Sequence, residues 1–110
     1  MSIIEASVGE LEAALDAGAL LFDVRETNEY EDGHVRGAIH VPLGTVADNV
    51  EAFRPTGGDE AVYVICRSGA RSMRACEFLA GHGVEAVNVA GGTMDWLASG
   101  RSVVVGNLPL

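Results

Sequence analysis

A cysteine follows the most β-prone segment of the chain, at the point where apolar residues give way to a polar turn. Residues 61–65 are apolar throughout, and Cys66 comes directly after them. The turn that follows consists of Arg67, Ser68, Gly69, Ala70, Arg71 and Ser72. Backbone N–H groups in such a turn, together with the positive end of a following helix, point toward an anion at its centre. We therefore expect a thiolate or a persulfide on Cys66 to be stabilised there.

Positive charge is concentrated around this cysteine. Residues 61–76 contain Arg67, Arg71 and Arg74 and no carboxylate, although the whole chain has 16 acidic residues, 7 basic ones and a formal net charge of −9. A helix N-terminus and nearby arginines lower the pKa of a cysteine below its ordinary value. We predict that Cys66 is a catalytic nucleophile, that the turn binds the substrate, and that Arg67 and Arg71 contact an anionic donor.

The bulk composition excludes several other classes of protein. A net charge of −9 disfavours non-specific nucleic-acid binding. No apolar run approaches the roughly 18 residues of a membrane helix, and the first residues lack the features of a secretory leader. The two cysteines, Cys66 and Cys76, are too few for a disulfide scaffold and form no CxxC pair. We expect a cytoplasmic protein that uses no metal or other cofactor and has no nucleic-acid or membrane partner.

Short apolar runs alternate with helix-like stretches, a pattern typical of parallel strands joined by crossover helices. The predicted strands are residues 19–24, 37–42, 61–65 and 84–89. Residues 61–65 are placed at the centre of the sheet because they are apolar throughout. Pro42 confines its short strand to an edge or a strand end. The sequence therefore predicts an α/β fold.

Helices are predicted from apolar spacing and from capping signals. They begin at Ser7, residue 45, Ser72 and Thr93, and they end near Gly18, Phe53, Gly83 and Gly100. The residues expected to face the core are Leu11, Ala14, Leu15, Val46, Val50, Phe53, Ala75, Phe78, Leu79 and Trp96. Residues 54–59 are predicted to form a surface loop. At 110 residues the chain is expected to be one monomeric domain, with a core of about 3–101 and a tail, 102–110, that packs back on it.

Three motifs, in order along the chain, resemble the rhodanese family of sulfurtransferases. The first runs from Asp23-Val24-Arg25 through Glu29-Tyr30 to Gly33-His34-Val35 and Pro42, the second is the turn that begins at Cys66, and the third is Gly91-Gly92 followed by Trp96. The resemblance implies a single rhodanese domain whose central, mostly parallel sheet carries helices on both faces. It also implies that Cys66 takes a sulfane sulfur from thiosulfate or a related donor. A Cys66 persulfide then passes the sulfur to cyanide, a thiol, a thioredoxin-like protein or a sulfur-carrier protein.

Two alternatives stay open at this level. Related cell-cycle phosphatases and arsenate reductases need a Cys-x5-Arg loop to hold a tetrahedral oxyanion, whereas here Arg71 stands at Cys-x4-Arg and Ser72 occupies the next position. The shorter loop suits a single sulfur atom better. A module that binds a partner or carries sulfur without turnover is the other alternative, although the chain retains the cysteine and the full loop.

The remaining candidate residues are predicted to have supporting roles. Asp23 and Arg25 are expected to hold the loop ends together by an ion pair and backbone hydrogen bonds. His34 has no partner at metal-ligand spacing and is expected to make a local hydrogen bond. Cys76 is predicted to be a buried packing residue, with a resolving role in disulfide exchange as the alternative, and Trp96 is assigned to the core.

Overall fold

A parallel sheet of five strands forms the centre of the computed structural model, which describes residues 2–55, 57 and 61–110. The strands are β1 (Glu5–Ala6), β2 (Leu20–Asp23), β3 (Ile39–His40), β4 (Val62–Ile65) and β5 (Ala86–Val89). Their order across the sheet is β1-β5-β4-β2-β3, and every neighbouring pair is parallel. The central position of β4 confirms the prediction made from its uninterrupted apolar sequence, because a central parallel strand is covered on both faces.

Helices cover both faces of this sheet. They are α1 (Val8–Asp16), α2 (Thr27–Asp32), a 3-10 segment (Leu43–Phe53), α3 (Ala70–Ala80) and α4 (Gly92–Ala98). The 3-10 segment and α3 pack on one face around Phe22 and Val64, while α1, α2 and α4 pack on the other around Leu21 and Ile65. Successive strand residues point to opposite faces, so β2 and β4 contribute to both cores. The predicted α/β class, with helices on both faces of a parallel sheet, is confirmed.

The register of the strands brings three loops to one edge of the sheet. Asp23 lies beside Ile65, the last residue of β4, and Val64 lies beside Asn88 of β5. Cys66 therefore leaves the sheet between the segment that follows β2 and the turn that follows β5. The carboxyl ends of parallel strands are the usual location of binding sites in α/β folds. This edge is where the catalytic candidates meet.

The first helix begins as its sequence predicts. Ser7 accepts a hydrogen bond from the N–H of Glu10 at 3.1 Å, and the Glu10 carboxylate accepts one from the N–H of Ser7 at 2.9 Å. The helix ends at Asp16, and Gly18 follows with a φ of +96°. A capping box and a left-handed glycine therefore define the two ends of α1.

The third helix differs from its prediction in two respects. It begins at Ala70 rather than at Ser72, because Gly69, with a φ of +110°, already turns the chain into the helix. The inward orientation predicted for Phe78 is wrong: its side chain is 39% exposed and stacks on His82. The buried stripe of α3 consists of Ser72, Ala75, Cys76 and Leu79. Phe78 lies just outside this stripe, which follows the spacing of one helix face.

Other elements are shorter or less regular than predicted. The segment expected as a helix over 45–53 is 3-10 in character and kinked at Asn49, where φ is −129°. It buries Val46 and Phe53 but leaves Val50 half-buried. The strand expected over 37–42 is only Ile39–His40, and it is an edge strand. The sequence gives no signal for β1, which has two residues, or for α2, where only Tyr30 is buried.

Part of the predicted surface loop can be located. Arg54 is half-buried, whereas Pro55 and Gly57 are exposed, and Thr56, Gly58 and Asp59 lie outside the described residues.

Within the ranges that are described, no helix is long and apolar enough to cross a membrane. The same ranges contain no group of three or more His, Cys, Asp or Glu side chains that could hold a metal ion.

The C-terminal tail packs against the segment that follows α2. Val104 and His34 exchange backbone hydrogen bonds of 2.9 and 2.8 Å in an isolated antiparallel bridge. Farther along, the N–H of Gly37 donates to the carbonyl of Pro109 at 2.9 Å. At the start of the tail, the carbonyl of Ser102 accepts a hydrogen bond from the indole N–H of Trp96 at 2.8 Å. These bonds join the tail both to α4 and to the β2–β3 connection.

Candidate active site

The Cys66 sulfur lies inside the turn that joins β4 to α3. The residue is only 1% exposed. The backbone N–H of Gly69 donates to Sγ at 3.1 Å, and the hydroxyl of Ser72 lies 3.3 Å from Sγ. Gly69 has a φ of +110°, a conformation that L side chains rarely adopt, so a glycine is needed to direct this N–H inward. The turn therefore surrounds the sulfur with hydrogen-bond donors.

These donors control the protonation of the thiol. Burial raises the pKa of Cys66, but hydrogen bonds from the Ser72 side chain and from the backbone N–H groups of Ser72, Gly69 and Ser68 outweigh it. The net result is a pKa below the ordinary value of the thiol. Donors that favour the charged form offset the cost of removing it from water. The site can hold a thiolate, the nucleophilic form of cysteine.

The start of α4 fixes the backbone of the turn from behind. The carbonyl of Cys66 accepts hydrogen bonds from both the N–H and the hydroxyl of Thr93, at 2.9 and 3.0 Å, and the carbonyl of Arg67 accepts one from the N–H of Met94 at 3.0 Å. A Cβ at Gly92 would lie 2.6 Å from each of these two carbonyl oxygens. Only a glycine allows this approach, and the Gly91-Gly92 pair is its sequence signal.

The capping role predicted for Thr93 is wrong. Helix α4 begins one residue earlier, at Gly92, and Gly91 is its N-cap residue. The Thr93 hydroxyl bonds to the carbonyl of Cys66 instead of to its own helix. A threonine near the start of a helix can either cap that helix or bond to a distant carbonyl. Its sequence position is the same in both cases, so the sequence could not distinguish them.

Arg71 forms an ion pair across the edge of the site. Its two terminal nitrogens donate to the two carboxylate oxygens of Glu29, at 2.7 and 2.9 Å. The hydrogen bonds from Arg71 lower the pKa of Glu29 to about 2, so Glu29 is ionised at neutral pH. The same pairing raises the pKa of Arg71, and the charge of Cys66 adds to that increase. Arg71 thus lies within electrostatic range of the sulfur, but its guanidinium is largely neutralised.

The other loop residues face outward. Arg67, Ser68 and Ala70 are exposed, and so is Arg74, one turn into α3. A cavity of about 270 Å³ adjoins Arg67. Its lining includes Arg25, Glu29, Thr93, Met94, Leu97 and Val103. Arg67, the residue next to Cys66, therefore contributes a positive charge to this cavity. The cavity is several times larger than the volume of about 30 Å³ that one water molecule occupies.

Asp23, Arg25 and His34 lie beside this region and hold its loops. The side chains of Asp23 and Arg25 pair at 2.9 Å, and Arg25 also donates to the carbonyl of Gly33 at 2.8 Å. His34 is fully buried, with Nδ1 2.7 Å from the carbonyl of Tyr30 and Nε2 2.8 Å from the carbonyl of Leu108. Arg25 and His34 join separate backbone segments, and the Asp23 carboxylate holds Arg25 in place. The side-chain hydrogen bonds found for these three residues do not include Cys66.

Cys76 has very different surroundings on the same helix. It is fully buried and belongs to the apolar cluster between α3 and the sheet. Burial raises the pKa of Cys76 to about 12, and the charges of Glu77, Cys66 and Glu5 act in the same direction. Both cysteines are free thiols. Cys76 is therefore protonated at neutral pH and packs as an apolar residue.

Asn88 is a polar contact of the loop that the sequence did not predict. It is 1% exposed, and its Nδ2 group donates to the carbonyl of Gly69 at 3.1 Å and to the carboxylate of Glu5 at 2.9 Å. The only available signal was an amide within the otherwise apolar sequence of β5, Ala86–Val89. A polar residue in a buried parallel strand is unusual enough to mark the position.

The arrangement as a whole is suited to nucleophilic sulfur chemistry. A buried cysteine sulfur is surrounded by hydrogen-bond donors at the N-terminus of an 11-residue helix, close to a recess that contains an exposed cation. These donors can also stabilise a second sulfur atom bonded to Cys66, because a persulfide is an anion of the same kind.

Comparison with known proteins gives a consistent result. A family model described as the rhodanese-like domain matches residues 7–99. The protein YtwF of Bacillus subtilis (strain 168) is 37% identical over 98 residues, which cover 87% of this chain and 92% of YtwF. The thiosulfate sulfurtransferase PspE of Escherichia coli (strain K12) is 38% identical over 73 residues, which cover 66% of this chain and 69% of PspE. A crystal structure of a rhodanese-related protein from Thermoplasma volcanium superposes with a TM-score of 0.83 at 29% identity, covering 93% of this chain and 98% of that one.

Proposed function

The chain belongs to the rhodanese-like domain family of sulfurtransferases, and we propose that it is an enzyme that moves a sulfane sulfur through a Cys66 persulfide. The observation that carries the proposal is the set of donors on the Cys66 sulfur, from the N–H of Gly69 and the hydroxyl of Ser72. They lower the pKa of a thiol whose burial alone would raise it. PspE, whose name describes it as a thiosulfate sulfurtransferase, supports thiosulfate as the donor.

The reaction proceeds in two displacement steps. In the first, the Cys66 thiolate attacks the sulfane sulfur of thiosulfate, a new S–S bond forms, and sulfite leaves with the electron pair of the broken bond. In the second, cyanide or a thiolate attacks the terminal sulfur of the persulfide. The Cys66–sulfur bond breaks, the electron pair returns to Cys66, and thiocyanate or a new persulfide is released. No external oxidant or reductant is required.

Each part of the turn has a role in this scheme. The N–H groups of Ser68, Gly69 and Ser72 and the hydroxyl of Ser72 stabilise the negative charge on Cys66 or on the added sulfur. Ala70 begins α3, whose positive end adds to the same effect.

The arginines of the loop bind the sulfur donor. Arg67 is exposed beside the recess, and its side chain makes no ion pair within the described ranges, so it can bind the sulfite portion of thiosulfate. Arg71 assists through the N–H groups that Glu29 does not occupy.

We place this activity in the cytoplasm and assign it to a monomer. The reducing conditions of that compartment keep Cys66 and Cys76 as thiols. Thiols are abundant acceptors there, and a thioredoxin-like protein or a sulfur-carrier protein would present the same nucleophile. Asp23, Arg25 and His34 contribute by holding the loops that border the recess.

Mass spectrometry of the protein after treatment with thiosulfate tests the proposal directly. The expected result is an added mass of one sulfur atom, located on the peptide that contains Cys66 and removed by cyanide with release of thiocyanate. Cys66→Ala removes the nucleophile and should give no adduct, whereas Cys76→Ala should behave like the unmodified protein. Transfer by Cys66→Ala at the parent rate would overturn the mechanism.

A steady-state assay separates catalysis from simple binding. An enzyme forms thiocyanate over many turnovers from thiosulfate and cyanide. A carrier module would release at most one equivalent per chain. A single equivalent with no further turnover would therefore replace the proposal with the carrier alternative.

A further inference from the structure

Asn88 places an amide in the interior of the sheet. It lies between β1 and β4, beside Glu5 on one side and Val64 on the other. The remaining residues of β5 are apolar, and Asn88 is only 1% exposed. Its Oδ1 atom has no hydrogen-bond partner in the described part of the chain. An orphaned buried acceptor costs stability, so a contribution to folding alone does not explain an amide here.

The Asn88 amide nitrogen donates two hydrogen bonds. Nδ2 donates to the Glu5 carboxylate at 2.9 Å and to the carbonyl of Gly69 at 3.1 Å. Both partners can only accept, so they fix the orientation of the amide. The carbonyl of Gly69 also accepts the N–H of Met73 at 3.1 Å, at the start of α3. Asn88 therefore ties the first turn of this helix to the sheet.

Gly69 connects the amide to the sulfur. Its N–H donates to Cys66 Sγ at 3.1 Å, while its carbonyl accepts from Asn88. With φ at +110° and ψ at −13°, Gly69 has a conformation that only a glycine adopts easily. The freedom that permits this conformation also permits others, so the hydrogen bonds that Gly69 makes, including the one from Asn88, select it.

We infer that Asn88 is a positioning residue that holds Gly69 in the conformation that directs its N–H at the Cys66 sulfur. Asn88 does not touch the sulfur and acts only through Gly69. The consequence for sulfur transfer rests on the proposed function, whereas the effect on the thiol does not. Without the amide, Gly69 samples other conformations, and the thiolate loses part of its stabilisation.

The test measures how the alkylation rate of Cys66 by iodoacetamide depends on pH. Asn88→Val and Asn88→Leu remove the donor without adding charge, and valine is favoured in strands. Both are made in a Cys76→Ala background so that one thiol is followed. Arg71, whose charge interacts with that of Cys66, and its partner Glu29 are left in place. We expect the midpoint of the rate profile to rise by about half a pH unit, which means about threefold slower alkylation below the midpoint.

Glu5→Gln is the matched control. Its amide oxygen still accepts from Asn88, so the bond to Gly69 remains and the midpoint should not move. Circular dichroism and the melting temperature are recorded for every variant. A lower melting temperature with an unchanged midpoint in Asn88→Val or Asn88→Leu would assign Asn88 a merely structural role and overturn the inference.

The outcomes also separate this inference from the proposed function. A raised midpoint in a protein whose parent forms no thiocyanate would support the positioning role and refute the sulfurtransferase. Thiocyanate formation by the parent together with an unchanged midpoint in the Asn88 variants would do the reverse. The same shift in Glu5→Gln as in Asn88→Val would show that the effect does not pass through Gly69.

Discussion

Cys66 and Cys76 lie ten residues apart and are almost equally buried, at 1% and 0% exposure, yet their environments act on the thiol in opposite directions. Burial raises the pKa of both side chains. At Cys66 four hydrogen-bond contributions from Ser72, Gly69 and Ser68 reverse that effect. At Cys76 the pKa rises to about 12, since burial and the charges of Glu77, Cys66 and Glu5 all act in the same direction.

The difference follows from where each cysteine stands in its element. Cys66 lies between the end of a strand and the N-terminus of a helix, where backbone N–H groups have no partner within the helix. Cys76 lies in the middle of α3, where those groups are already bonded to carbonyls one turn earlier. The supply of free donors, rather than accessibility, determines which thiol has a lowered pKa.

Selective alkylation should show the largest effect. At pH 7 we expect iodoacetamide to modify Cys66 at least about 100-fold faster than Cys76, because the reactive species is the thiolate. Peptide mass spectrometry over a time course gives both rates in a single sample. In denaturant the two cysteines should react at similar rates. Comparable rates in the folded protein would mean that burial and not hydrogen bonding governs both thiols.

The dependence of stability on pH should show the next largest effect, and it has opposite sign at the two sites. The pKa of Cys76 is raised from 9.0 to about 12 in the folded state, so its contribution is complete below pH 9 and is lost as pH rises through the folded value. We expect urea unfolding to show a loss of stability between pH 9 and 10.5 that is about 2 kcal/mol greater in the parent than in Cys76→Ala.

Cys66 provides the contrast in the same measurement. Its pKa is lowered in the folded state, so its contribution is present above the unfolded pKa and disappears as pH falls through the folded value. Cys66→Ala should therefore keep the alkaline loss of stability seen in the parent. If Cys66→Ala reduced that loss and Cys76→Ala left it unchanged, the assignment of the two thiols would be reversed.

Much of this contrast could be predicted from residue types along the chain. The apolar strand, the cysteine and the turn rich in arginine and serine are consecutive, so their contacts are largely local and the anion-binding geometry follows from them. The capping box of Ser7 and Glu10 and the central position of β4 are likewise local signals. The buried position of Cys76 is likewise predicted from its place on the helix that follows the turn, and the structure confirms that position.

The contacts that could not be predicted join distant segments. Arg71 and Glu29 are 42 residues apart, and Asn88 reaches a carbonyl 19 residues away. They meet only because the register brings the ends of β2, β4 and β5 to one edge. A cluster of arginines in sequence is therefore not a cluster of free charges in space. The local signal for a helix cap at Thr93 was overridden by such a contact, its bond to Cys66.

Removing the Ser72 hydroxyl should have an intermediate effect on the reactivity of Cys66. It tests whether this donor is the main cause of the difference between the two cysteines. Ser72→Ala deletes the hydroxyl that lies 3.3 Å from the Cys66 sulfur and leaves the backbone donors in place. We expect the pKa of Cys66 to rise, by about one unit, and persulfide formation near neutral pH to slow by up to about tenfold. Ser68→Ala is the matched control, since its side chain is exposed and only its N–H faces the sulfur. Equal effects of the two substitutions would show that the hydroxyl is not the dominant donor.

Removing the ion-pair partner of Arg71 should have the smallest effect. It separates the contribution of the Arg71 charge to donor binding from the contribution of hydrogen bonds to the reactivity of Cys66. Glu29→Gln removes the ionised partner of Arg71, so a dianionic donor should bind more tightly, with a KM for thiosulfate lowered by about threefold and a steeper dependence on salt. Arg71→Ala should act in the opposite direction and slow persulfide formation more than persulfide discharge, because only the first step releases sulfite.

Stopped-flow measurement of the two half-reactions gives both rates, and the alkylation ratio of Cys66 to Cys76 should change little in either variant. Slowing of both half-reactions by the same factor in Arg71→Ala would count against a donor-binding role for Arg71. A collapse of the alkylation ratio in Glu29→Gln would show that the ion pair, rather than the donors of the turn, sets the difference between the two cysteines. The turn is therefore expected to determine which thiol reacts, and the ion pair to determine how strongly an anion is attracted to it.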